Sequence, residues 1–148
     1  MKLFNKTIVA KNARKIEREV EIQQSASKYG FTPKITDFKL TYDELNKEYV
    51  GNITMEHLDA LCLADMYSDD PTKIPTVIWD KIRVILQILY NKEGIEYIDI
   101  TGYNFIEKDN KIYIIDFGDA KYSKKTEPID SFLQDFLNGY NGWNPEFK

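Results

Sequence analysis

Two carboxylates and an amide stand close together in the second half of this chain. Asp99 and Asn104 belong to Tyr97-Ile98-Asp99-Ile100-Thr101-Gly102-Tyr103-Asn104, and Asp116 opens Asp116-Phe117-Gly118. All three fall on loops at the ends of short strand-like pieces. Hard oxygen donors of this kind suit magnesium, which takes one or two carboxylates and completes its shell with water and substrate phosphates. Two of the three can hold such an ion, and the remaining carboxylate can take the proton of an attacking hydroxyl. Phosphoryl transfer asks for little more than a positioned metal, a positioned nucleophile and charge compensation. On residue type alone, Asp99 can equally be a turn residue and Asp116 a strand-end cap.

The elements that must position these groups follow from periodicity. Ile78, Ile82, Ile85 and Leu89 recur at helical spacing, Val77, Leu86 and Ile88 widen the stripe, and Gly94 stops it. This predicts a helix buried on much of its circumference. Asn104–Glu107 and Lys111–Ile115 flank the turn-forming Lys108-Asp109-Asn110, which predicts a hairpin. Another helix is expected around Ile129–Leu137, with Pro128 near its start. Upstream, Asn12–Tyr29 reads as a helix carrying Ile16 and Val20, with Gly30 as its stop. Leu3–Val9 is either a strand or an early extension of that helix. Lys34–Leu40 and Tyr49–Met55 read as paired strands joined through Asp43–Lys47, and Leu58–Tyr67 as a short helix before the loop Ser68–Pro75.

The ordered set of buried helix, Asp-to-Asn loop, hairpin and Asp-Phe-Gly resembles the protein-kinase catalytic core over roughly Lys11 to Leu137, most strongly from Val77 to Gly118. The resemblance implies Asp99 as catalytic base, Asn104 as a metal ligand and Asp116 as principal magnesium ligand, with ATP and Mg²⁺ as cofactors. It places Met55 at the gatekeeper position and the backbone of Glu56 to Leu58 against an adenine edge. Glu19 resembles the helix glutamate that pairs with the phosphate-binding lysine, with Glu21 as a competitor. Asp130 resembles the buried aspartate that braces the catalytic loop. Thr101, two residues after Asp99, is similar to the small (RIO-like) atypical Ser/Thr kinase of the KEOPS complex, which also lacks the large peptide-binding portion. The implied fold is α+β: a reduced kinase-like domain over 1–148, with a truncated N-lobe (about 1–57) of small antiparallel sheet and one helix, and a mainly helical minimal C-lobe (about 58–148).

The pattern departs from the family at named places. A Gly-rich loop should precede the lysine, yet the first glycine is Gly30. Val9-Ala10-Lys11 imitates the Val-Ala-Ile-Lys motif, so Lys11 is either the phosphate-binding lysine or a solvated residue beside the helix. The usual His-Arg before the catalytic aspartate is Tyr97-Ile98, which leaves no docking charge for a phosphorylated loop. Thirty residues follow Gly118, too few for a family-type activation segment and the helices beyond it. The reading is therefore a minimal atypical kinase acting on a protein hydroxyl. The alternatives are a pseudokinase or interaction module, and a small-molecule phosphotransferase of the aminoglycoside-kinase type.

Bulk properties fit that range. With 20 basic against 24 acidic residues and a net charge of −4, the chain lacks the basic surplus of a nucleic-acid binder. Ten Tyr, eight Phe and two Trp argue against disorder. One cysteine, Cys62, excludes an internal disulfide framework and suits a reducing compartment, while one histidine, His57, disfavours a Cys/His zinc site. No signal-peptide core or membrane-length apolar run is present, so a soluble cytoplasmic protein is expected, with a nucleotide and a protein substrate or partner, and neither nucleic acid nor membrane.

Overall fold

In a computed structural model describing residues 2–147, the chain divides into two compact units, the first ending at Asp59 and the second beginning at Ala60. The chain is α+β, with small antiparallel sheets and four α-helices among the described residues.

The first unit opens with β1, Leu3–Ala10, so the ambiguous start is a strand. Asn12 then caps α1, Ala13–Ser27, its side chain accepting from the Arg14 N–H at 2.8 Å. Strands β2, Ile35–Asp43, and β3, Glu48–Glu56, form a hairpin whose turn is held by the Asp43 carboxylate accepting from the Leu45 and Asn46 N–H groups. The order β1-β3-β2 is antiparallel throughout and puts β3 in the centre. Val20 of α1 packs on Ile53 and Met55 of β3, with Ile8, Ile35 and Phe38 around them.

That packing depends on Gly51, at the middle of β3. A Cβ there would sit 2.5 Å from Cγ2 of Ile16, a distance no carbon pair tolerates. The missing side chain is what lets α1 settle on the sheet.

The second unit contains α2, Leu63–Met66; α3, Thr76–Glu93; β4, Ile95–Glu96; β5, Phe105–Lys108; β6, Lys111–Ile114; β7, Lys121–Tyr122; and α4, Ser131–Leu137. β4 pairs with β7, and β5 with β6. Asp109 (φ 53°) and Asn110 (φ 66°) make the two-residue loop of the β5–β6 hairpin, the left-handed pair that a tight hairpin of this hand requires. Helix α3 buries Ile78, Trp79, Ile82, Ile85, Leu86 and Leu89, and Trp79 meets Phe136 of α4 and Trp143. Arg83 of α3 donates to the Phe136 carbonyl at 2.7 Å and lies over the Phe136 ring, tying the two helices together.

Two expectations change. The helix expected over Leu58–Tyr67 shrinks to the single turn of α2, because the backbone is left-handed at Asp59 (φ 53°) and Cys62 is held in a bridge to Ile106. The two-residue strands β4 and β7 lie below the length at which alternation is visible. Among the described residues no helix is long and apolar enough to cross a membrane.

Gly51→Ala is expected to cost about 1–3 kcal/mol by overpacking against Ile16. In urea unfolding, the Gly51→Ala/Ile16→Ala pair should lose less than the sum of the two single changes, since the second removes the clash made by the first.

Candidate functional site

Within the second unit, the segment from Tyr97 to Asn104 has no strand partner, so its backbone must be satisfied piece by piece. It folds on itself: Ile100 N–H donates to Ile98 O at 2.8 Å, Thr101 N–H to Asp99 O at 3.1 Å, and Asn104 N–H to Thr101 O at 3.2 Å. Gly102–Asn104 closes as a 3₁₀ turn. That turn lies against α2, and a Cβ on Gly102 would stand 3.0 Å from the Ala64 nitrogen. The Asn104 side chain then donates from Nδ2 to Asp99 O at 3.0 Å, locking the two ends of the Asp-to-Asn loop together. The Ile115 N–H donates to Asn104 O at 3.0 Å, which carries the hairpin back to the same place.

Tyr97 joins this loop to the segment of Asp116. The residue is 1% exposed, and its hydroxyl donates to the Asp116 carbonyl at 2.6 Å. Its ring meets Phe105 and Phe117 edge-on, with centroids 5.8 and 5.6 Å away. Phe117 is buried, and the Asp116 carboxylate accepts from the Gly118 N–H at 2.8 Å, so the Asp-Phe-Gly backbone is turned by its own first side chain.

The charges are crowded. Burial raises the Asp99 carboxyl above its ordinary range; the Asn104 side chain lowers it, and the neighbouring Asp119 and Asp116 charges and a hydrogen bond with Asp119 raise it again. Burial also pushes the Tyr97 hydroxyl well up, with Asp99, Asp116 and Asp119 adding to the effect. Asp119 was not among the residues expected from sequence. It lies outside the Asp-Phe-Gly string, and the turn from Phe117 to Ala120 brings it back.

Asn144 was also missed. It is 2% exposed; its Nδ2 donates to Ile98 O and its N–H to Ile100 O, both at 2.8 Å. The loop carrying Asp99 is thus braced by Asn144. Asp130, expected in that role, caps α4 by accepting from the Leu133 N–H at 3.0 Å, and its own N–H goes to the buried Glu96 carboxylate at 2.9 Å. The Asn-Pro pair at 144–145 is a turn signal, but nothing in it says what the turn touches.

In the first unit, Glu19 is 7% exposed and pairs with Lys6 of β1 at 2.7 Å. Its partner is Lys6, not Lys11. The strand ends at Ala10, so Lys11 lies beyond it, with an exposed side chain near the Asn46 carbonyl (3.1 Å) and Glu48 (3.9 Å). The competitor Glu21 pairs with Arg14. Met55 is 3% exposed in the core of this unit, its sulfur 3.5 Å from Gln23 Nε2. The Glu56 and His57 N–H groups donate to Lys34 O and Lys2 O, and His57 stacks on Phe4. Leu58 is half-buried in the irregular stretch after β3.

Asp99, Asn104 and Asp116 therefore come together in the second unit as hard oxygen groups. Among the described residues no cluster of three or more His, Cys, Asp or Glu side chains is arranged to hold a metal by itself. Magnesium suits the donor chemistry of Asn104 and Asp116 when phosphate and water oxygens complete the shell. No protein-family model matches this chain, and no curated protein matches it either.

Tyr97→Phe leaves the Asp116 carbonyl without its buried donor and should cost about 1–2 kcal/mol. Because the folded state holds the Tyr97 proton more tightly than the unfolded chain, its contribution is complete below about pH 10 and is lost as pH rises beyond that. Unfolding midpoints measured from pH 8 to 11.5 should fall less steeply in the variant.

Proposed function

We propose that this chain is a reduced, protein-kinase-like phosphotransferase that binds Mg-ATP and transfers the γ-phosphate to a protein hydroxyl. The observation that carries the reading is the closed loop in which Asn104 grips the Asp99 carbonyl while Tyr97 grips that of Asp116. These bonds hold the loop of Asp99 and the segment of Asp116 to a narrow range of positions. Asn104 and Asp116 are the candidate magnesium ligands, and bound magnesium neutralises charge on the β- and γ-phosphates. Asp99 takes the proton of the acceptor hydroxyl, and its raised affinity for a proton suits that step. In the first unit, Lys6 replaces Lys11 as the candidate phosphate-binding lysine, because kinases place that lysine on a strand and pair it with a helix glutamate.

The absence of an arginine before Asp99 removes the usual docking charge for a phosphorylated loop, and activity is then constitutive or set by a partner.

Thermal unfolding with ATP, with and without Mg²⁺, tests the binding half. Nucleotide at about a hundred times its dissociation constant stabilises by roughly 2.7 kcal/mol. A magnesium-dependent rise in midpoint is expected in the wild type, absent in Asp116→Asn, strongly reduced in Lys6→Ala and retained in Lys11→Ala. No rise in the wild type at millimolar ATP would move the reading to a binding module without nucleotide.

The catalytic half is tested by Asp99→Asn. Its carboxyl is raised in the fold, so ionisation at neutral pH works against folding, and the handicap disappears as pH falls below the ordinary carboxylate range. The variant should unfold at a higher temperature at pH 7, match the wild type near pH 3, and lose transfer of labelled γ-phosphate at least a hundredfold. A variant that is less stable at pH 7 and still active would assign Asp99 a structural role.

A further inference from the structure

We propose that β1 is an interface through which two copies of this chain pair, antiparallel, about a two-fold axis at Thr7. The inference does not rest on the phosphotransfer reading. The three-stranded sheet has two edges, and they are built differently. The β2 edge is guarded in the ways that discourage strand addition: Pro33 precedes it, a register shift interrupts it between Ile35 and Asp37, and Asp37 and Lys39 are exposed along it. The β1 edge has none of these devices. It runs eight residues from Leu3 to Ala10 in unbroken register with β3, without proline or bulge, and among the described residues no other strand pairs with it.

Its one charge does not protect it either. Lys6 is turned onto Glu19 of α1 at 2.7 Å rather than out along the edge. Large apolar side chains are left partly open near both ends, with Leu3 53%, Phe4 46% and Val9 50% exposed. A long, straight, apolar edge offers main-chain donors and acceptors that an added strand satisfies.

The sequence of β1 is suited to its own copy in one register. A two-fold axis perpendicular to the sheet keeps the two faces matched and sets a residue opposite itself. Centred on Thr7, it opposes Lys6 to Ile8, Asn5 to Val9 and Phe4 to Ala10 of the other copy. A large ring then meets a small side chain, the lysine stem meets an apolar residue, and two threonines meet at the axis, a favourable cross-strand pair. Centring on Lys6 would oppose two lysines; centring on Thr7 leaves only Leu3 outside the pairing, whereas centring on Asn5 or Ile8 would leave out three residues of the strand. One added strand lies at the small end of specific interfaces, below about 1,200 Å², so the dimer is expected to be concentration-dependent.

Sedimentation equilibrium on the full chain over a wide concentration range is the test. Wild type should move from the monomer mass towards twice that mass. Thr7→Lys and Thr7→Glu should each stay monomeric, since like charges then meet at the axis, and an equimolar mixture of the two should recover the doubled mass. Circular dichroism and unfolding midpoints close to wild type establish that both variants fold. Where either fails to fold, Thr7→Cys in a Cys62→Ser background should give a disulfide-linked dimer on mild oxidation, while Lys39→Cys in the same background should not. A wild type that remains monomeric up to millimolar concentration, or a dimer indifferent to both Thr7 charges, overturns the proposal.

Discussion

A tyrosine hydroxyl at full burial has to find an acceptor, and for Tyr97 the acceptor is the carbonyl of Asp116. The Tyr97 ring packs against Phe105 and Phe117, and without that bond the buried hydroxyl would lose its carbonyl acceptor. With it, the loop of Asp99 and the segment of Asp116 have one shared anchor, and the rest of the site is arranged around it. Three successive carbonyls of that loop are then met by two asparagines. Ile98 O and Ile100 O accept from Asn144, and Asp99 O accepts from Asn104.

The same crowding has a cost. Asp99, Asp116 and Asp119 all act on Tyr97, Asp116 and Asp119 act on Asp99, and burial works against ionised Asp99. Crowding of this kind works against stability, because each ionised carboxylate makes the next harder to ionise. The Lys6–Glu19 pair has the opposite character: a buried carboxylate with its own cation, where each partner compensates the other.

Some of this could be read from residue order because the signals are local. The stripe of α3 and the Asp109-Asn110 turn announce themselves through spacing and left-handed preference, and both form where expected, except that Val77 is 56% exposed and Ile88 half-buried. Asn12, expected as the first residue of its helix, stands just outside it as the cap of α1. Other features were hidden because their meaning is tertiary. Lys6 has no motif around it, and only the course of β1 brings it to Glu19. Lys11 carried the better string, Val-Ala-Lys, but sits past the strand end. The aspartate expected to brace the loop is a helix cap, since Asp is favoured there for reasons that owe nothing to the loop.

Asn144 shows why a bracing residue resists sequence reasoning. Its place is set by its neighbour: Trp143 is packed against Trp79 of α3 and Phe105 of β5, so the indole fixes where the chain runs. Once that course is set, the next residue passes beside the carbonyls of Ile98 and Ile100, and its amide gives Ile98 O a second donor besides the Ile100 N–H. The Asn144 oxygen then accepts from the Glu146 N–H at 3.1 Å and turns the chain away. Hydrophobic packing therefore delivers the amide, and the amide steadies the loop of Asp99. The geometry of the candidate site depends on a tryptophan that touches none of its carboxylates.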